Sequence, residues 1–261
     1  MDIGLSGTPT LVTAASDGLG YATAVELARE GARVALCSRD LSRAQAAAQK
    51  IEAETGQTVL ALQANVADAG DCERVVERAA EVLGGLRVLV LNAGGPPAGG
   101  FEKFDDAAWL AAFNLTFLST VRLTRAALPY LKASGAARVL AIVSSSVRRP
   151  LPNLTLSNAL RPAVMGLMKS LSLELAPDVA VNCLAPGRVL TGRIQELDEA
   201  RAQREGKPWQ DLRAQSEREI PLGRLGDPAE FGKVAAFLCS PAASYVNGST
   251  VLVDGGAVTN L

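Results

Sequence analysis

Thr10-Leu-Val-Thr-Ala-Ala-Ser-Asp-Gly-Leu-Gly20, running on into Tyr21-Ala-Thr-Ala-Val-Glu-Leu-Ala-Arg-Glu30, is the stretch whose reading decides the fold. A short apolar run of β type gives way to small, turn-prone residues and then to a helical run closed by Gly31. The order is strand, tight turn, helix N-terminus. Such a terminus presents unpaired backbone N–H groups and a partial positive charge, which suits a phosphate. Gly18 and Gly20 allow close approach of a ligand and of the neighbouring strand.

The turn gains weight if the strand–helix unit repeats, and it does. Arg33 to Cys37 reads as a second strand, Leu41 to Glu54 as an Ala-rich helix and Thr58 to Leu62 as a third strand. Cys72, Val75, Val76, Ala79, Ala80 and Leu83 recur at helical spacing before Gly84-Gly85. Leu86 to Leu91 is apolar nearly throughout, as in a strand covered on both faces. A long helical stretch from Asp105 to Lys132 leads to a strand at Arg138 to Val143. Val164, Leu167, Met168, Leu171 and Leu175 mark another helix, followed by a strand at Val179 to Leu184. A helix begun by Asp227-Pro228 and a strand at Val251 to Val253 close the series. This alternation predicts a single α/β domain over residues 1–261, a Rossmann-type doubly wound parallel sheet of about seven strands with helices on both faces.

Composition narrows the function. The 261 residues carry 26 Lys and Arg against 27 Asp and Glu, so neither nucleic acid nor a membrane surface is expected as partner. The N-terminus MDIGLSG lacks the basic start and apolar core of a secretory signal, and the four scattered cysteines read as buried, reduced thiols. A cytoplasmic protein is expected. Histidine is absent, which removes His-based triads and His-liganded zinc; no metal site is expected.

Five motifs together resemble the short-chain dehydrogenase/reductase family, from about Gly7 to Gly256. Its glycine motif stands as Thr13-Ala14-Ala15-Ser16-Asp17-Gly18-Leu19-Gly20, with Ala14 in place of the first glycine. Asn65-Val66 stands where the family has Asp-Val against the adenine, and an asparagine carbonyl can accept the same bond. Asn92-Ala93-Gly94 and Pro186-Gly187-Arg188-Val189-Leu190-Thr191 are intact, and Val253-Asp254-Gly255-Gly256 also matches. The resemblance implies a nicotinamide dinucleotide held by these segments, with the Pro-Gly segment at the carboxamide. At the end of the second strand, Ser38 and Arg39 offer donors to a 2′-phosphate, favouring NADP(H) over NAD(H), although Asp17 opposes this.

The family's chemistry uses a serine, an asparagine and a Tyr-x-x-x-Lys pair. The resemblance assigns the serine to Ser144 and the asparagine to Asn114. Thirteen residues beyond Ser144 stands Ser157, and four further Arg161; the tyrosine and lysine are missing. A serine hydroxyl is a weaker acid than a phenol by several pKa units, at ~1.4 kcal/mol each. Arg161 retains a charge and ribose-binding donors but stays protonated and cannot relay a proton. Two readings follow. One is an atypical oxidoreductase transferring hydride to or from a carbonyl or alcohol carbon of a small molecule, with Asn114, Ser144, Ser157 and Arg161 lining its site and the proton drawn from water or substrate. The other is a dinucleotide-binding protein without catalysis, acting as sensor or interaction partner.

Arg148 and Arg149 follow the serine run and either join Arg161 in a basic mouth for an anionic substrate or belong to a solvated loop. Residues 188–226 correspond to the family's substrate lid. Their balanced charges read as solvated surface, and Trp209 packs either on substrate or within the lid. The resemblance implies a homo-oligomer, tetramer or dimer, and Ala126, Ala127, Ala159 and Ala163 would permit close helix pairing.

Overall fold

The computed structural model describes residues 2–259; Met1, Asn260 and Leu261, the ends of the expected domain, lie outside the described residues. Seven parallel strands form one sheet in the order β3-β2-β1-β4-β5-β6-β7. They are β1 (Pro9–Val12), β2 (Arg33–Ser38), β3 (Leu60–Gln63), β4 (Val88–Leu91), β5 (Ala137–Ile142), β6 (Val179–Pro186) and β7 (Thr250–Val253). Every residue of β4 is buried, as its unbroken apolar run predicts. The order reverses between β1 and β4, opening a crevice at their carboxyl ends, where such sheets bind ligands.

One face of the sheet is covered by α1 (Gly18–Arg29), α2 (Leu41–Thr55) and α9 (Pro228–Cys239). The other carries α3 (Ala69–Leu83), α5 (Ser119–Ala133) and α6 (Thr155–Glu174). Caps set the helix ends: Asp68 starts α3 and left-handed Gly84 ends it, while Asp227 and Glu230 form a capping box on α9. Burial pushes the thiols of Cys37, Cys183 and Cys239 up to about 12 and that of Cys72 up to about 11, so all four are inert at neutral pH. Among the described residues, no helix is long and apolar enough to cross a membrane.

Three expectations change. The helix anticipated from Asp105 to Lys132 is interrupted: α4 (Asp106–Phe113) passes through a π turn, Asn114–Leu118, into α5. Residues 188–226 contain two helices, α7 (Gly192–Glu205) and α8 (Trp209–Arg218), most of whose charges are exposed as expected, and the buried exception is one carboxylate. Asp198 of α7 is buried between Arg188 and Arg213, and Arg213 lies 4.7 Å over the Trp209 ring. Trp209 therefore packs within this excursion, whose two ends are tied by a bridge between Val189 and Gly226. Finally, Ala127 is fully buried in its own core and unavailable to a partner helix, whereas Ala159 and Ala163 are exposed.

Candidate active site and dinucleotide crevice

At the carboxyl ends of β1 and β4 the backbone is pinned by side chains. Thr13 Oγ1 donates to the Asn92 carbonyl at 2.8 Å and accepts from its N–H at 2.9 Å. Asn92 Nδ2 donates to the Ala14 carbonyl at 2.9 Å. Gly20 fits beneath this bond only because it has no side chain: a Cβ there would lie 2.5 Å from Asn92 Nδ2 and 3.0 Å from the Ala14 carbonyl. The first turn of α1 is thereby held against β4 with its N–H groups facing the crevice. Asp17 caps α1 through the Gly18 N–H at 2.7 Å, and Leu19 packs against the core.

Ala14 has φ 48°, a left-handed conformation unfavourable for a residue with a Cβ by about 1–2 kcal/mol. Ala14→Gly is therefore expected to raise stability by about 1 kcal/mol after the added unfolded-state entropy, or ~2 °C in Tm for a domain of this size. A lower Tm in differential scanning calorimetry would show that the methyl packing outweighs the strain.

The end of β2 forms the crevice's other wall. Ser16 Oγ meets Ser38 Oγ at 3.1 Å, and Arg39 is exposed. Exposed Asp40 caps α2 through one carboxylate oxygen, Oδ1, which accepts from the Ser42 hydroxyl and from the Ser42 and Arg43 N–H groups. The same bonds, led by that hydroxyl, lower its pKa. Arg43, not singled out from the sequence, lies 3.8 Å from Asp17 Oδ2 and offsets the charge of that residue. Beyond β3, Asn65 Oδ1 accepts from the Ala67 N–H at 3.2 Å, while the Val66 side chain is buried in the core, leaving only its backbone for a ligand.

Arg161 is 8 % exposed and projects from α6 to the strand ends. Its Nη1 donates to the Ile142 carbonyl at 2.7 Å and its Nη2 to the Ala93 carbonyl at 3.4 Å, next to exposed Gly94. No carboxylate pairs with it among the described residues. Burial, and then the charge of Arg193, lower its pKa to about 10, so it is a cation at neutral pH. Beside it lies a pocket of about 10 Å³, the size of one water, lined by Asn92, Thr116 and Arg161. The buried Thr116 hydroxyl has no partner there.

Ser144 stands at the carboxyl end of β5, half-buried, its Oγ accepting from the Ser146 N–H at 3.1 Å. Ser157 is half-buried in the first turn of α6, and its hydroxyl has no hydrogen-bond partner among the described residues. Asn114 opens the π turn, a distortion frequent at functional sites, with Nδ2 on the Leu110 carbonyl at 3.0 Å. Its Oδ1 accepts from Arg122 Nη2 at 3.1 Å, and Arg122 Nη1 reaches the Ala67 carbonyl at 2.9 Å, a bridge the sequence did not reveal. Pro186 ends β6, Gly187 N–H donates to the Val253 carbonyl at 2.9 Å, Val189 is buried, and Thr191 caps α7. Arg193 Nη2 crosses to the Pro96 carbonyl at 2.8 Å, closing α7 over the segment after Asn92-Ala93-Gly94. Of the two readings of Arg148 and Arg149, the solvated loop fits the structure: both are exposed, and Arg148 lines a cavity that Arg161 does not.

A family model described as enoyl-(acyl carrier protein) reductase matches residues 13–258. Dehydrogenase/reductase SDR family member 4 of Sus scrofa is 35% identical over 98% of this chain and 89% of its own length. L-Sorbose reductase from Gluconobacter frateurii, solved with NADPH and L-sorbose, superposes with a TM-score of 0.94 at 31% identity over 100% of both chains. A short-chain oxidoreductase from Pseudomonas aeruginosa PAO1, solved with NADPH and described as containing an atypical catalytic center, gives 0.90 at 34% identity over 99% of both. With the seven-stranded sheet and its crevice, these matches establish that the chain belongs to the short-chain dehydrogenase/reductase family of oxidoreductases.

Proposed function

We propose that this protein is an atypical short-chain oxidoreductase that binds NADP(H) and transfers hydride to or from a carbonyl or alcohol carbon of a small molecule. The observation that carries the reading is Arg161, a buried cation with no carboxylate partner at the strand ends where the nicotinamide half of a dinucleotide would lie. The crevice fits the cofactor: Thr13, Ser16, Asp17, Gly18, Leu19 and Gly20 would take the diphosphate, and Ser38, Arg39 and Arg43 a 2′-phosphate. Asn65 and the Val66 backbone would meet the adenine, and Asn92, Ala93, Gly94, Pro186, Gly187, Val189 and Thr191 the nicotinamide ribose and ring.

When bound, the nicotinamide supplies or accepts the hydride. The Ser144 hydroxyl polarises the substrate oxygen, and Arg161 holds the ribose and its fixed charge favours negative charge on that oxygen. Asn114 orients the α4–α5 turn, and Ser157 stands at the position that the family resemblance gives to a phenol. The water-sized pocket with the Thr116 hydroxyl supports water as the proton source. Residues 188–226 act as the substrate lid. The test is absorbance of the reduced cofactor against a panel of ketones, sugars and alcohols, with Ser144→Ala expected to lower kcat by about 100-fold or more. Cofactor binding without turnover on any substrate would instead identify a catalytically silent dinucleotide-binding protein, a reading favoured by the unpartnered Ser157 hydroxyl.

Cofactor choice rests on exposed Arg39, with Ser38 and Arg43 beside it. Arg39→Glu is expected to weaken NADPH binding by about 100-fold, the equivalent of ~2.8 kcal/mol, while leaving NADH within a few-fold. Equal loss for both cofactors in fluorescence titration would refute the assignment. A homo-oligomer is part of the proposal, with exposed Ala159 and Ala163 on α6 at its contact; a monomer on size-exclusion chromatography with light scattering would remove it.

A further inference from the structure

Beside α6, β6 is buried and the edge strand β7 is half-buried. A cavity of about 320 Å³ lies there, walled by Met165 and Met168 of α6 and by Val181, Cys183 and Thr250 of the strands. Its volume is roughly thirtyfold that of the one-water pocket beside Arg161, room for a small organic molecule. The charged residues lining it are Arg148 and Lys169, and no carboxylate lines it. Neither cation has a salt-bridge partner among the described residues. Lys169 is positioned rather than free: its Nζ donates to the Gly248 carbonyl at 3.2 Å, and a Cβ at Gly248 would come within 2.6 Å of that nitrogen. Arg148, exposed, closes the turn of 145–147 through its N–H to the Ser145 carbonyl at 3.0 Å and lines the same cavity.

We infer that this cavity is a second ligand site, separate from the dinucleotide crevice, for a small amphipathic carboxylate. The thioethers of Met165 and Met168 offer an adaptable apolar wall for an alkyl chain. A ligand carboxylate supplies the negative charge that the lining lacks and meets Arg148 and Lys169 by charge-assisted hydrogen bonds. An uncharged molecule of the same shape would leave both cations without a counter-charge.

The probe is octanoate, with octan-1-ol as its uncharged counterpart, titrated into the full-length protein by calorimetry without cofactor, so that the outcome does not depend on the oxidoreductase reading. The expected result is one octanoate per chain and octan-1-ol about tenfold weaker or more. Met165→Trp should abolish binding by filling the cavity, and the Arg148→Ala, Lys169→Ala pair should weaken it by about tenfold or more. Saturating NADPH should not displace octanoate. Absence of saturable binding, as when a second copy of the chain covers the cavity, would overturn the inference. So would displacement by NADPH, or binding unchanged in Met165→Trp and in the charge pair while both variants keep the wild-type Tm.

Discussion

Gly20→Ala is expected to empty the crevice of its ligand and to loosen the fold around it. The added methyl would sit 2.5 Å from Asn92 Nδ2, 3.0 Å from the Ala14 carbonyl and 3.1 Å from Ala15 Cα. Two of these three neighbours are backbone, so no rotamer change relieves the overlap. Either α1 shifts away from β4 or Asn92 gives up its bond to the Ala14 carbonyl. Overpacking of this kind destabilises by about 1–3 kcal/mol and the lost hydrogen bond by about 1 kcal/mol more, together a Tm lower by roughly 5–15 °C. Displacement of the first turn also misaims its N–H groups, so NADPH affinity should fall by about 100-fold or more. Calorimetric Tm and fluorescence titration check the two effects separately. A variant with wild-type values in both would show that this turn does not hold the dinucleotide.

The second large effect is expected at Asp198, far from the crevice floor. Its carboxylate is 2 % exposed and neutralises Arg188, at the start of the 188–226 excursion, and Arg213 in α8. Asp198→Asn keeps the shape and removes the charge, leaving two partly buried guanidinium groups facing each other. Breaking a buried pair from one side costs about 3–5 kcal/mol, here in an element that can open locally. The expected outcome is rapid tryptic cleavage within residues 188–226 and lost amide protection of α7 and α8, with the Tm of the sheet and its flanking helices changed little. KM should rise more than kcat falls if the excursion is the substrate lid. Wild-type resistance to trypsin would mean that the α7–α8 packing stands without the ion triad.

Much of this was legible from local sequence. Alternating strand and helix signals, the fully apolar β4 run and the Asp-Pro helix start need only neighbours within a few residues to declare themselves. The positions of Ser157 and Arg161, thirteen and seventeen residues beyond Ser144, were also plain, since they depend only on counting. The interruption at Asn114 was not legible: α-helical and π turns share residue preferences, and the extra residue is set by how α4 and α5 pack. The burial of Asp198 was hidden for a similar reason. A carboxylate among many charges reads as solvated until two arginines, ten and fifteen residues away, are folded onto it.

By itself, then, the sequence determined a doubly wound parallel sheet with a phosphate-suited turn at its centre, because hydrophobic period and turn chemistry are local properties. Only the tertiary structure decided which polar groups remain available. It committed the Asp40 carboxylate to a helix cap and left Arg39 exposed. It sank Arg161 beneath the strand ends without a counter-charge and turned Arg148 to a different cavity. Those outcomes depend on which distant backbone each side chain meets, and burial fixes that only when the layers close.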